Sequence, residues 1–425
     1  SSGINKNDSL KSHIRDTFLA GQKKGNLSVI ETTLEEAPHR IQDLIDWGVK
    51  FDLDGEGFDL HKEGGHHMAR ILHCKDQTGW SLHQVLLKKT KACHSIHIHE
   101  FKEVIDIIQE EDRFRFEIID SLKQQHLAFQ CHAVVIATGG CGQLFPQTTN
   151  TLESIGDGIY LAQKLNLEIK DFSKIQFHPT AFKHDDLNPS FLISEAARGL
   201  GAHLVNDSCK RFMFKYHPKG ELATRDVVTN AIWKEIDKQG NADIYLDFRH
   251  LEKEHLKNAL PFIYKTCLGY GYDLCKDLIP IQPVAHYQCG GIKVDKNGET
   301  SMKNVFALGE CACTGLHGDN RLASNSLLEA LVFAKRTANR LFKSLKTENK
   351  GLAQDFLIAN LYRFSDISQN ERFHIEEFIK NIKDIALRAY QNSDKILELK
   401  LKLAKEKENY QQFFNSNEFH QKPKT

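Results

Sequence analysis

Between Ala133 and Gly140 the chain reads AVVIATGG, and no other stretch restricts the fold as much. Its short apolar run reads as a buried strand, ended by two glycines. Such an ending lets backbone approach a ligand at the strand's carboxyl end, although an ordinary strand and turn would read alike. NVFALGE (Asn304 to Glu310) is a second strand of this type. It closes on a glycine and an acid able to hydrogen-bond a ribose or ribityl hydroxyl. In SIGDGIYLAQKL, Gly156, Asp157 and Gly158 precede a helix from Ile159 to Leu165. A glycine-rich helix start offers free N–H groups and a positive dipole end to an anion.

Around these signals the chain divides. At 425 residues it exceeds one ordinary core, so two or three domains are expected. Apolar spacing predicts helices over Ser28–Gly48, broken in two at Pro38, and over Ser81–Lys91. Val49–Leu53 reads as a short strand, FRFEIID and HLAFQCHAVVIATGG as a hairpin, and HSIHIHEF (94–101) alternates like a strand. From Phe172 to about Tyr287 the texture becomes polar motifs among short strands, as in an inserted domain. Ser326–Leu345 is a long helix, 375–410 reads as further helices, and 415–425 as a frayed end.

Composition excludes several functions. Lys+Arg and Asp+Glu both count 56, which disfavours nucleic acid as main partner. No run of 18 apolar residues and no signal-peptide pattern occur, so no membrane span and a cytoplasmic location are expected. Ten scattered cysteines without a CxxC pair read as reduced thiols, with Cys311 and Cys313 as small buried residues. Among 22 histidines there is no HExxH, and no metal site is expected, His94, His97 and His99 included.

Chemistry concentrates in five stretches. HKEGGHHMARILH holds Glu63, QFHPTAF holds His178, ATRDVVTNAI holds Arg225 and Asp226, PVAHYQCGGI holds His286, and TGLHGDNRLASNSLLEA holds Arg321, Ser324 and Ser326. Singly, each has a structural explanation. Together they supply two arginines, two histidines and hydroxyls beside cofactor-type glycines. Arginine forks match carboxylates bidentately, so the set suits a substrate with two carboxylates.

HYQCGG, HPT, SEAARG, the RD pair and HGDNRLASNSLLE together resemble the succinate dehydrogenase/fumarate reductase flavoprotein family over roughly residues 1–345. Cysteine before the double glycine, with TGLHG and ASNS, resembles its aspartate oxidase branch. The resemblance implies an α/β plus α+β chain: a Rossmann-type FAD-binding domain (1–171 and 288–348), an inserted capping domain (172–287) and a C-terminal helical domain (349–425). It implies non-covalent FAD, with Ser2, Gly3, Val104, Thr138, Gly139, Asp157, Glu310, Ser326 and Leu327 on the cofactor side. His178, Ser194, His286 and Arg321 would bind substrate carboxylates, with Ser324 beside them, and Glu63 would meet an amino group. Arg225 would carry a proton, more easily as acid than as base, since its pKa exceeds about 12. The implied reaction is oxidation of L-aspartate to iminoaspartate with O2 or fumarate as acceptor, feeding NAD biosynthesis with quinolinate synthase as pathway partner. A soluble fumarate reductase and an inactive dicarboxylate-binding remnant are the alternatives.

The sequence departs from the pattern in places. No GxGxxG occurs, so the first βαβ unit, roughly 40 to 50 residues, is expected to be missing and FAD binding weak. Asp319 is expected to pair with Arg321 and weaken its carboxylate clamp. Ser194 stands where threonine is frequent, and Leu200 where an acid is.

Overall fold

A computed structural model describes residues 4–348 except 56, 124, 239 and 241, together with 356–358, 377 and 379–388. Ser2, Gly3, the frayed end expected at 415–425 and most of the expected helical tail lie outside the described residues. Residues 377 and 379–388 are helical, but Phe356–Ile358 form a strand antiparallel to Leu127–Phe129, so the part expected to be helical also adds an edge to a sheet.

The first helices, α1 (Leu10–Ala20) and α2 (Leu27–Trp47), pack on each other. Asn26 caps α2 by accepting from the Ser28 and Val29 amides, and Gly48 ends it at φ +108°. The helix expected to break at Pro38 runs through it. Its buried stripe continues on both sides: Ile30, Leu34 and Ala37 pack with Leu328, Val332 and Phe333, and Ile41 and Leu44 with Leu72 and Leu82. Each buried Leu or Ile stabilises by about 1.5–3 kcal/mol, which together outweighs the roughly 3 kcal/mol cost of an interior proline. The strand expected at Val49–Leu53 shrinks to Leu53–Asp54, because Val49 and Phe51 are drawn into that apolar cluster.

After α3 (Thr78–Lys91), residues 94–99 form no strand and are exposed, despite their alternation. Ile96 and Ile98 would share one face of a strand, but no described element packs over them. The expected hairpin does form, as an antiparallel meander of Lys102–Glu110, Arg113–Asp120 and Gln125–Cys131. Val134–Ile136 instead pairs in parallel with Val305–Ala307. An apolar cluster lies beneath this pair and includes Ile159 and Leu161 of α4 (Asp157–Lys164).

Between residues 175 and 288 a four-stranded antiparallel sheet runs in the order Ile175–Phe182, Ile279–Gln288, Ile244–Asp247, His203–Asn206. It shares a core with α5 (Glu195–Gly199), α6 (Arg225–Lys238), α7 (Lys253–Ala259) and α8 (Pro261–Gly269). Leu200 packs against that core, so the place of an expected acid is apolar. The long α9 (Asn325–Glu348) follows the second parallel strand. Among the described residues no helix is long and apolar enough to cross a membrane.

One buried ion network ties α1 to the segment before α3. Arg70, fully buried, donates to both carboxylate oxygens of Asp8 (2.6 and 2.9 Å) and to Asp16 (2.6 Å). Burial raises both carboxyls, but Arg70 and neighbouring N–H donors more than offset this and hold them below the ordinary range. Breaking a buried pair strands its partner charges, so R70M is expected to cost about 3–5 kcal/mol of unfolding free energy. Urea unfolding at neutral pH checks this, and a loss under about 1 kcal/mol would show the network to be dispensable.

Candidate active site

The two parallel strands end side by side, and their carboxyl ends build one region. Gly139 (φ +73°) and Gly309 (φ +69°) adopt left-handed turns that favour glycine. A side chain at Gly140 would meet Glu310 Oε1 at 2.3 Å, so this backbone and that acid approach as only glycine allows. At Gly158 a side chain would meet Thr138 Oγ1 at 2.4 Å, which brings the start of α4 against the strand end. No side chain caps α4, and its first N–H groups stay available. Burial raises Asp157, with Glu103 adding to it. Val104 packs against the apolar cluster beneath the strands.

Glu310 accepts from the Gln288 amide (2.9 Å), yet burial pushes its carboxyl up to about 7. A carboxyl raised on folding destabilises progressively as pH climbs from about 4.5 to about 7, because the native state holds a proton that the unfolded chain has released. E310Q is therefore expected to flatten the pH dependence of stability across that window. With partial exposure discounted, it should recover on the order of 2 kcal/mol at pH 8. Parallel wild-type and E310Q profiles would refute this.

A cleft beside the strand ends gathers Glu63, His178, Ser194, Arg225, His286, Arg321, Ser324, Ser326 and Leu327. The sequence scattered these groups over 265 positions, from 63 to 327. His178 Nδ1 accepts from the Thr180 amide at 3.2 Å, so a neutral ring carries its proton on Nε2. Among the described residues that nitrogen is buried without a partner. Burial, then Arg225 and His286, keep the ring well below its ordinary pKa, hence a neutral donor. His286 is the opposite tautomer. Its Nε2 accepts from Arg321 (3.0 Å), and its Nδ1–H donates to Thr149 Oγ1 (2.7 Å).

Arg321 also donates to Ser326 Oγ and lies over the Tyr287 ring at 4.3 Å, with Nε buried and unpartnered. Burial and Arg225 lower it to about 10, which leaves it charged at neutral pH. Arg225 donates to Glu195 (2.6 Å) and to Gln176 (3.0 Å). Gln176 in turn donates to the Arg321 carbonyl (2.7 Å) and so joins the two arginines through one amide. Ser324 sits at φ +65°, a sparsely populated conformation for serine, and donates to Glu63 (3.1 Å). Burial and Glu195 raise Glu63. Burial also raises Glu195, but Arg198 and Arg225 reverse this and hold it ionised.

The expected Asp319–Arg321 pair does not form. Asp319 turns outward to Lys24 (2.6 Å) and Lys174 (2.5 Å), and among the described residues no carboxylate pairs with Arg321. Gln176 and Glu195 were missed as functional residues. They lie within quoted motifs, QFHPT and SEAARG, but only the fold brings them to Arg225. Other polar groups of TGLHGDNRLASNSLLEA brace the α9 entrance. Thr314 and His317 hold Glu329, Asn320 holds the Ala20 carbonyl, and Asn325 holds Thr17.

The FAD binding domain family matches residues 2–327. The L-aspartate oxidase of Clostridium perfringens is 42% identical over 332 residues, covering 78% of this chain and 74% of that protein. The L-aspartate oxidase of Synechocystis is 38% identical over 85% of this chain and 66% of its own length. The chain spans about half the length of plant relatives, such as the chloroplastic L-aspartate oxidase of Arabidopsis thaliana (39% identical, 53% covered). Among solved structures, an E. coli quinol fumarate reductase superposes with a TM-score of 0.83 at 27% identity, over 96% of this chain and 74% of that one. With its glycine-ended strand pair, its family match and these relatives, the chain belongs to the L-aspartate oxidases, a branch of the FAD-dependent oxidoreductases that share this fold with fumarate reductase.

Proposed function

We propose that the cleft oxidises L-aspartate to iminoaspartate. The observation that carries this reading is Glu63, held by Ser324 beside Glu195, whose own charge is taken up by Arg225, in a cleft that also presents Arg321 and neutral imidazole. A plain dicarboxylate gains nothing from that acid, whereas an ammonium offsets its charge. The residues present fit FAD. Gly139, Gly140 and the uncapped start of α4 are free to take phosphate or ribose, Glu310 to accept from hydroxyls, and Ser326 with the exposed Leu327 to meet the ring system. Bound FAD would supply the hydride acceptor.

The protein's part is orientation. Arg321 takes one substrate carboxylate through its free donors, and His178 offers its Nε2–H to a carboxylate oxygen. Ser194 adds a hydroxyl at the start of α5. His286 acts by holding Arg321, since both of its ring nitrogens are engaged. Arg225, fixed by Glu195 and Gln176, faces the substrate as a cation and serves as proton donor when fumarate is reduced. We assign the FAD-binding domain to 1–171 and 288–348, the capping domain to 172–287 and a C-terminal unit to 349–425. O2 or fumarate reoxidises the enzyme, and quinolinate synthase consumes the imine on the way to NAD in the cytoplasm.

A visible spectrum of the protein held in excess FAD without oxygen tests the reading. Bleaching of the flavin band by L-aspartate and not by succinate is the expected result. Bleaching by neither, or by succinate alone, overturns it.

A further inference from the structure

His61 and His73 line the same cleft, and three chain segments bring them together with two aspartates. Leu60–His61 pairs antiparallel with Ile71–Leu72, with Leu60 opposite Leu72. One step outward, Asp59 faces His73. Asp59 and His61, two residues apart on one strand, share a face. Asp52 is tied to both segments, through its N–H to the His73 carbonyl (2.9 Å) and its carbonyl to the Asp59 N–H (3.0 Å).

His73 Nε2 lies 3.4 Å and His61 Nε2 3.7 Å from Asp59 Oδ2. Tetrahedral coordination at about 2.1 Å would place neighbouring ligand atoms about 3.4 Å apart. His73 is 6% exposed, yet neither of its ring nitrogens makes a hydrogen bond of good geometry, although both face carboxylates. Its ring stacks on His61 with centroids 3.5 Å apart, a contact two imidazolium ions would not tolerate. Asp52 Oδ2 stands 3.1 Å from His73 Nδ1, where a carboxylate orients a metal-bound histidine. Asp59 and His61 remain partly open to solvent, which gives an ion a way in.

We infer that Asp59, His61 and His73 bind one divalent transition-metal ion, with Asp52 orienting His73. Two imidazoles and a carboxylate suit Zn2+ and leave a fourth position to water. Binding requires one of the stacked rings to turn so that both Nε2 lone pairs converge. The ion would clamp the strand pair that delivers Glu63, two residues beyond His61.

The test uses the untagged full chain, stripped with chelator and titrated with Zn2+ against a chromophoric competitor. One equivalent is expected to bind tightly enough to titrate at micromolar protein. His73→Ala and Asp59→Asn are expected to abolish that binding, and Asp52→Asn to weaken it roughly 10- to 100-fold. Should His73→Ala fail to fold, the near-isosteric Asp59→Asn decides. A variant with His94, His97 and His99 all changed to alanine is expected to keep the equivalent. Absence of the wild-type equivalent, full affinity in Asp59→Asn, or its loss in the triple alanine variant overturns the inference.

Discussion

Glu63→Gln is expected to raise the KM for L-aspartate by roughly 100-fold while fumarate binds at least as tightly as before. The carboxylate is held by Ser324 and packed beside Glu195, and Gly64 permits that packing, since a side chain there would meet Glu195 Oε1 at 2.2 Å. Aspartate brings an ammonium into this acidic corner and fumarate does not. Truncating one partner of a buried charge pair typically costs about 2–5 kcal/mol, which sets the size of the effect. The pH dependence carries the same signature. Because burial raises Glu63, the wild-type affinity for aspartate should improve as pH rises through that shifted pKa, as the carboxyl ionises. In Glu63→Gln this trend should vanish. Equal losses for aspartate and fumarate would show that Glu63 shapes the cleft without reading the amino group.

Arg321→Leu is expected to lower kcat/KM by roughly 1,000-fold, since two charge-assisted hydrogen bonds are worth about 1.5–3 kcal/mol each. The loss has a second source. His286 Nε2 and Ser326 Oγ both take a donor from Arg321, so the variant leaves two half-buried acceptors without it. Arg321→Lys keeps the charge but not the fork, and should recover only part of the loss. Asp319→Asn provides the contrast. Asp319 is spent on Lys24 and Lys174, so this neighbouring change should leave kcat/KM within about twofold. Steady-state kinetics on the three variants separates the cases. A twofold effect from Arg321→Leu would remove it from the substrate clamp.

The parts of this protein legible in its sequence are those that local chemistry enforces. AVVIATGG and NVFALGE were readable as glycine-ended strands because apolar runs and glycine leave few other conformations. The α9 entrance was readable because its motif is long and specific. Reading failed where competition with distant residues decides. Pro38 did not break α2, because the apolar stripe on both sides packs against elements that local sequence cannot reveal. The alternation at 94–101 produced no strand, because a strand needs a partner and an apolar surface to cover. Asp319 stood two residues from Arg321 and was expected to pair with it, yet Lys24 and Lys174 approach from other segments and claim it.

The sequence by itself determined the chemical inventory: which side chains carry charge, where backbone can approach a ligand, and which family these residues belong to. Only the tertiary structure decided what each group does there. It made His178 a free donor and His286 a spent one, through the Thr180 amide and the Arg321 guanidinium. It placed Gln176 and Glu195 on Arg225, and it stacked His61 on His73 between two aspartates. The reason is physical. Residue type fixes which protons and charges a side chain can offer, but tautomer, ionisation and partner depend on the few ångströms around it, and those are filled by segments far away in the chain.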